Sequence, residues 1–281
     1  MSHGISVLGS SPSSASVERR TAETVVRVSV EEGPRRPWRI STGSPFLDHM
    51  VEVLAFYSGL NVDAHVEAGR RLMHTVAEDL GITLGAALRE MADARIGSQG
   101  CRCHGFAQAV LDEAYSQARV SYEGRALAVV ERGVRFGQVE DLQEEFLVAL
   151  IEGMAQGMRA TIHVDLVRGT DPHHAWESAF RALGAALRSA LERDEWRRGS
   201  AAGIKGTVDR RPNRPPEAGG EIPSPFKTIY SLLGMRSHKR EEVVDRAEEP
   251  FAQTRVGRGA LAAPRSVQGR RGTAPGRPGA P

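Results

Sequence analysis

Apolar residues recur with the periods of regular secondary structure from about Glu18 to Asp209, and outside that span they do not. Val-rich alternation over Thr24 to Val30 predicts a strand, and Leu60 to Val66 predicts another, placed after a helix that contains Met50 to Phe56. Further along, Ala118 to Tyr122, Ala126 to Val130 and Ala160 to Val167 read as strands, with a helix over roughly Leu142 to Met154 before the last of them. A final helix has the plainest pattern, because Phe180, Leu183, Leu187 and Leu191 recur at three- and four-residue intervals. Asp171 offers its N-cap and Pro172 its first turn, which puts His173, His174 and Glu177 at the N-terminal end.

The same tract occurs twice. Leu84-Gly85-Ala86-Ala87-Leu88-Arg89 returns 99 positions later as Leu183-Gly184-Ala185-Ala186-Leu187-Arg188. Carried backwards, that separation sets Glu78 on Glu177 and His74 on His173, and a separation of 98 sets His65 on His163. Two halves of like construction follow, about 18–100 and 101–209. The predicted class is α+β: internally duplicated βα half-domains, with helices packed on one face of mixed sheets.

Composition narrows this further. A chain of 281 residues with 40% apolar content can bury one large core or two small ones. The Ser-rich residues 1–17 and the Arg/Gly/Pro-rich residues 210–281 have no structural period and read as disordered tails, the second interrupted by an apolar patch, Phe226 to Leu233, and a charged stretch, Lys239 to Glu249. The formal charge is only +2 and much of the excess Arg lies after Lys205, so the folded part is not a basic nucleic-acid reader. No apolar run reaches membrane length, and Cys101 and Cys103 are too close in sequence for an ordinary framework disulfide. A soluble, cytoplasmic protein without nucleic-acid or membrane partners is expected. The cluster Cys101-Arg102-Cys103-His104 lacks the second ligand pair of a zinc site and is read as chance composition.

Seven of the nine histidines lie in the periodic span, and His49, His74, His173 and His174 are the candidates for chemistry. On a helix, residues three and four apart share a face, so Glu177 joins His174 or His173, and Glu78 joins His74. Imidazole and carboxylate together suit zinc, manganese or iron. His65 and His163 sit in strand-like stretches and read as sheet residues outside the site.

Two longer motifs carry a resemblance. Ser41-Thr42-Gly43-Ser44-Pro45-Phe46-Leu47-Asp48-His49-Met50 and Asp171-Pro172-His173-His174-Ala175-Trp176-Glu177 are similar to the two signatures of the imidazoleglycerol-phosphate dehydratases. Phe180-Arg181-Ala182-Leu183, Thr21-Ala22-Glu23-Thr24, Leu111-Asp112-Glu113-Ala114 and Gly124-Arg125 extend the match over about Arg20 to Gly206. The resemblance implies a duplicated fold like domain 2 of ribosomal protein S5. It also implies trimers gathered into a larger shell, and two Mn²⁺ ions held by residues of neighbouring subunits. The reaction it implies is dehydration of imidazole glycerol phosphate to imidazole acetol phosphate, by a hydro-lyase of histidine biosynthesis. Residue by residue, it assigns His49, His74, Glu78, His173, His174 and Glu177 as metal ligands. It assigns Glu23 and Glu177 to proton transfer, and Arg125 and Lys205 to the substrate phosphate.

Some positions depart from the family pattern. The first double-histidine motif reads Leu72-Met73-His74-Thr75-Val76-Ala77-Glu78-Asp79, with Thr75 in the second histidine's place. The helix after the second-half strands has no histidine, and Glu145 is the nearest substitute. Two phosphate segments have become Cys103-His104-Gly105 and Gly203-Ile204-Lys205-Gly206. Each lost charge-assisted contact is worth about 1.5–3 kcal/mol. The alternatives to the dehydratase are a paralogue acting on another imidazole or hydroxylated phosphate ester, and an inactive assembly or scaffold protein.

Overall fold

Alternation of small and β-branched residues builds two sheets, and each carries its helices on one face. The computed structural model describes residues 3–70, 72–133 and 135–204, all within the unit Met1–Ile222. The first half runs β1 (Gly4–Ser11), β2 (Ser14–Arg20), β3 (Thr24–Glu31), β4 (Arg39–Ser41), α1 (Pro45–Ser58), β5 (Asn61–Ala68) and α2 (Met73–Ser98). The second runs β6 (His104–Leu111), β7 (Ala114–Ser121), β8 (Leu127–Arg132), β9 (Gln138–Val139), β10 (Leu142–Gln143), α3 (Glu144–Met158), β11 (Thr161–Arg168) and α4 (Pro172–Ala190).

The sheet orders are β1-β2-β3-β5-β4 and β6-β7-β11-β8. In both, the short strand before the first helix joins the strand after it in parallel, β4 with β5 and β8 with β11, and the other pairs are antiparallel. The duplication is therefore topological as well as sequential. Strand β3 shows why one face is the core: Thr24, Val26, Val28 and Val30 are buried while Val25, Arg27 and Ser29 alternate with them. Helix α2 lies on the first sheet and α4 on the second, and the helices pair across the halves, α2 with α3 and α1 with α4.

Small residues allow that pairing. A Cβ on Gly85 of α2 would meet the Met154 carbonyl of α3 at 2.3 Å, and one on Gly184 of α4 would meet the Leu54 carbonyl of α1 at 2.7 Å. The two glycines of the repeated tract thus serve the same contact, helix backbone against helix backbone.

Three expectations change. Residues 4–11 and 14–17 are strand rather than unstructured tail. Strand β1 sits at a sheet edge with nearly every side chain exposed, so it is held by backbone pairing with β2 and leaves no hydrophobic period to detect. The helix expected from Leu142 starts at Glu144, because Leu142 and Gln143 pair with Val139 and Gln138 in a small hairpin. By strand bounds and register, His65 is not the counterpart of His163: β5 and β11 begin 100 residues apart, which sets Asp63 on His163 and His65 on Asp165. Expectations for residues 210–281 lie outside the described residues, as does Lys205.

Candidate metal centre

Two helix starts meet where the halves join. At the first, the Ser44 hydroxyl caps α1 by accepting from the Leu47 N–H at 3.2 Å, and Pro45 opens the helix. Asp48 Oδ1 accepts from the Thr42 N–H at 2.8 Å and the Thr42 hydroxyl at 2.6 Å, which fixes the incoming chain. His49 follows as the fifth residue of α1. At the second start, Asp171 Oδ1 accepts from the N–H groups of His173 and His174 at 2.8 and 3.3 Å, with Pro172 in the first turn, as the sequence predicts.

His49 Nε2, His173 Nε2 and Glu177 Oε2 converge. The first lies 3.1 Å from the carboxylate oxygen and the second 3.2 Å, and the three donor atoms fall within 4.8 Å of one another. Buried Phe46 closes one side, its ring centroid 5.2 Å from that of His173. Glu177 is only 9% exposed, so its charge needs a partner. Burial pushes its carboxyl up, but hydrogen bonds from Arg181 and His49 outweigh that and hold it below the usual carboxylate range. Arg181 takes Oε1, through Nε at 2.9 Å, and leaves Oε2 to the imidazoles. Two imidazoles and an ionised carboxylate, one of them on another element, make a donor set that fits a divalent cation of the manganese or zinc type.

Two glutamates that sequence reasoning did not select stand behind the histidines. Glu140, in the β9–β10 turn, places Oε1 3.0 Å from His173 Nδ1. Glu113, in the β6–β7 turn, places Oε2 2.9 Å from His174 Nδ1, and its other oxygen accepts from the Asp171 and Thr170 N–H groups at 2.9 and 3.1 Å. Those backbone donors and His174 hold Glu113 well below its ordinary value, and Glu113 in turn raises His174. The Leu111-Asp112-Glu113-Ala114 motif was a signal for Glu113; nothing in the sequence marks Glu140.

The remaining predicted residues are not part of the triad. His74 and Glu78 form an open pair at 3.9 Å on α2, and His174 turns to Glu113, with Asp112 3.7 Å from its Nε2. Glu23 precedes β3 as Glu113 precedes β7, exposed, with its carbonyl accepting from the Gly69 N–H. Arg125 is exposed in the β7–β8 connection, and its carbonyl accepts from the Thr161 hydroxyl at 3.4 Å. Glu145 is engaged by Arg132 at 3.0 Å. Cys101 and Cys103 are buried free thiols, and His104 Nδ1 folds back on the Arg102 carbonyl at 3.0 Å, so the three do not gather as a ligand set.

Known proteins are similar to this chain in sequence and fold. The family profile described as imidazoleglycerol-phosphate dehydratase matches residues 42–187. A protein of that name from Marinomonas sp. is 37% identical over 202 residues, covering 69% of this chain and 98% of its own. One from Eremothecium gossypii is 41% identical over 161 residues, covering 55% and 69%. The crystal structure of the Pyrococcus furiosus enzyme in complex with (S)-C348 superposes with a TM-score of 0.58 at 32% identity, covering 68% of this chain and 99% of that one. With the matched profile spanning both helix starts, and a relative aligned over nearly its whole length, the chain belongs to the imidazoleglycerol-phosphate dehydratase family.

Proposed function

We propose that this protein is a hydro-lyase that converts imidazole glycerol phosphate to imidazole acetol phosphate in histidine biosynthesis. The observation that carries the reading is the meeting of His49, from the first family signature, with His173 and Glu177, from the second, within 4.8 Å. These three residues would hold a divalent cation, Mn²⁺ by family resemblance. Bound there, the cation supplies Lewis acidity toward the substrate imidazole and lowers the cost of negative charge on the ring.

The chain's own groups do the rest. A carboxylate takes the proton from the carbon next to the ring, the substrate hydroxyl departs as water, and the resulting enol tautomerises to the ketone, so the reaction loses one H₂O and no electrons. Glu177 and Glu23 are the assigned proton-transfer groups. Arg125 and Lys205 are assigned to the phosphate. His74, Glu78 and His174 are assigned as further ligands, brought to a second Mn²⁺ across subunit boundaries in a homo-oligomer of trimers. Their side chains are 63%, 48% and 32% exposed, which supports that reading because a neighbouring subunit can reach them. Among the described residues no helix is long and apolar enough to cross a membrane.

The test is growth of a histidine auxotroph that lacks this dehydratase, together with turnover by the purified protein. Growth, and loss of turnover on chelation with recovery on adding Mn²⁺, are expected. Failure of the expressed, folded protein to support growth or to turn over the substrate would overturn the assignment; retained Mn²⁺ binding would then favour a paralogue acting on another substrate, and weak Mn²⁺ binding a non-catalytic assembly protein.

A further inference from the structure

Two hairpin turns of the same build meet at the start of α4. Asp112-Glu113 joins β6 to β7 and Glu140-Asp141 joins β9 to β10, and in each the first residue, Asp112 at φ 48° and Glu140 at φ 50°, lies in the left-handed region. Glycine or asparagine would take that conformation with less strain. A glutamate held there points to a use for its side chain.

The use at Glu140 is visible in its contacts. Its backbone carbonyl accepts from Gln138 Nε2 at 3.0 Å, and Asp141 Oδ1 accepts from the Phe46 N–H at 3.1 Å in the first turn of α1. The turn is therefore tied to the helix that carries His49. Its carboxylate, 56% exposed, reaches His173 Nδ1 at 3.0 Å on the helix that carries Glu177. An imidazole that donates Nδ1–H to a carboxylate can offer its Nε2 lone pair to a cation, and Nε2 here lies 3.2 Å from Glu177 Oε2, which would share that cation.

We propose that Glu140 is a positioning residue of the metal centre: it fixes the tautomer and ring orientation of His173 so that Nε2 is presented beside His49 and Glu177. This rests on the reading of those three residues as metal ligands. Hydrogen-bond partners behind a ligand histidine typically govern metal affinity by about 10–100-fold.

The experiment compares the full-length wild type with E140A and E140Q by Mn²⁺ titration, following the free-ion signal in electron paramagnetic resonance, and by ¹⁵N spectra of labelled histidines in metal-free protein. E140A is expected to weaken Mn²⁺ binding by about 10–100-fold. It should also move the His173 proton from Nδ1 to Nε2, where Glu177 Oε2 accepts it, while E140Q, whose amide oxygen still accepts, recovers most of both. Affinity in E140A within about two-fold of wild type, with an unchanged tautomer, overturns the proposal. A wild type that binds no Mn²⁺ overturns the metal-centre reading instead, and the His173 tautomer in E140A then decides the role of Glu140 by itself.

Discussion

Glu177 divides its two oxygens between opposite tasks, Oε1 to Arg181 and Oε2 to the two imidazoles, so one buried carboxylate serves both folding and ligation. Glu177→Gln keeps the size and an oxygen for Arg181 but removes the charge. Its far-ultraviolet circular dichroism should match the wild type while turnover falls by about 10²-fold or more; turnover near the wild-type rate would remove Glu177 from the chemistry. At this scale the sequence made the triad legible, since His49, His173 and Glu177 each sit behind a start signal with defined spacing. Glu140 was not legible. It reaches His173 from 33 residues away through a turn whose strained conformation has no glycine or asparagine to announce it.

Helices α2 and α4 begin alike in backbone and unlike in chemistry. Leu72 at φ −84°, ψ 101° and Asp171 at φ −87°, ψ 123° both have the extended geometry of an N-cap, but only Asp171 accepts hydrogen bonds from the first turn. Leu72 is 53% exposed, so its side chain contributes little packing. Leu72→Asp should therefore raise stability by about 0.5–2 kcal/mol, the usual worth of a cap, measurable as a higher urea midpoint with an unchanged slope; an unchanged or lower midpoint would show that the start of α2 is held by other means. Helix α4 was legible because cap, proline and apolar stripe agreed. Strand β6 was missed for another reason than β1: it alternates toward α4, but its inward positions Gly105, Ala107 and Ala109 are small while the exposed ones include Phe106 and Val110, so no hydrophobic period marks its buried face.

Across the whole molecule the duplication was legible in the helical tract and misleading in the strands. Corresponding elements of the halves begin 90 residues apart at β3 and β7, 99 at α2 and α4, and 100 at β5 and β11, since the connections between them differ in length. The acid stability of the molecule should have a contribution from Asp63 on β5. Burial pushes that carboxyl up, but Arg36 at 2.8 Å and Arg39 at 3.0 Å outweigh it and hold it below its ordinary value. A depressed folded-state value means that this stabilisation is present above the unfolded value of about 3.9 and is lost as the pH falls through the folded one. Asp63→Asn should flatten the decline in unfolding free energy below about pH 4 relative to wild type; parallel acid limbs would count against it. The triad itself draws His49 from one half and His173 with Glu177 from the other. In a pair of identical half-chains every such centre would come in duplicate, each half lending its partner a histidine from the helix between its parallel strands. Fusion lifts that obligation: the separation that carries Gly59 onto Arg159 carries His49 onto Ala149, and one centre can keep its full donor set while its twin drifts. The joined chain has thus acquired a polarity that its symmetric architecture does not require.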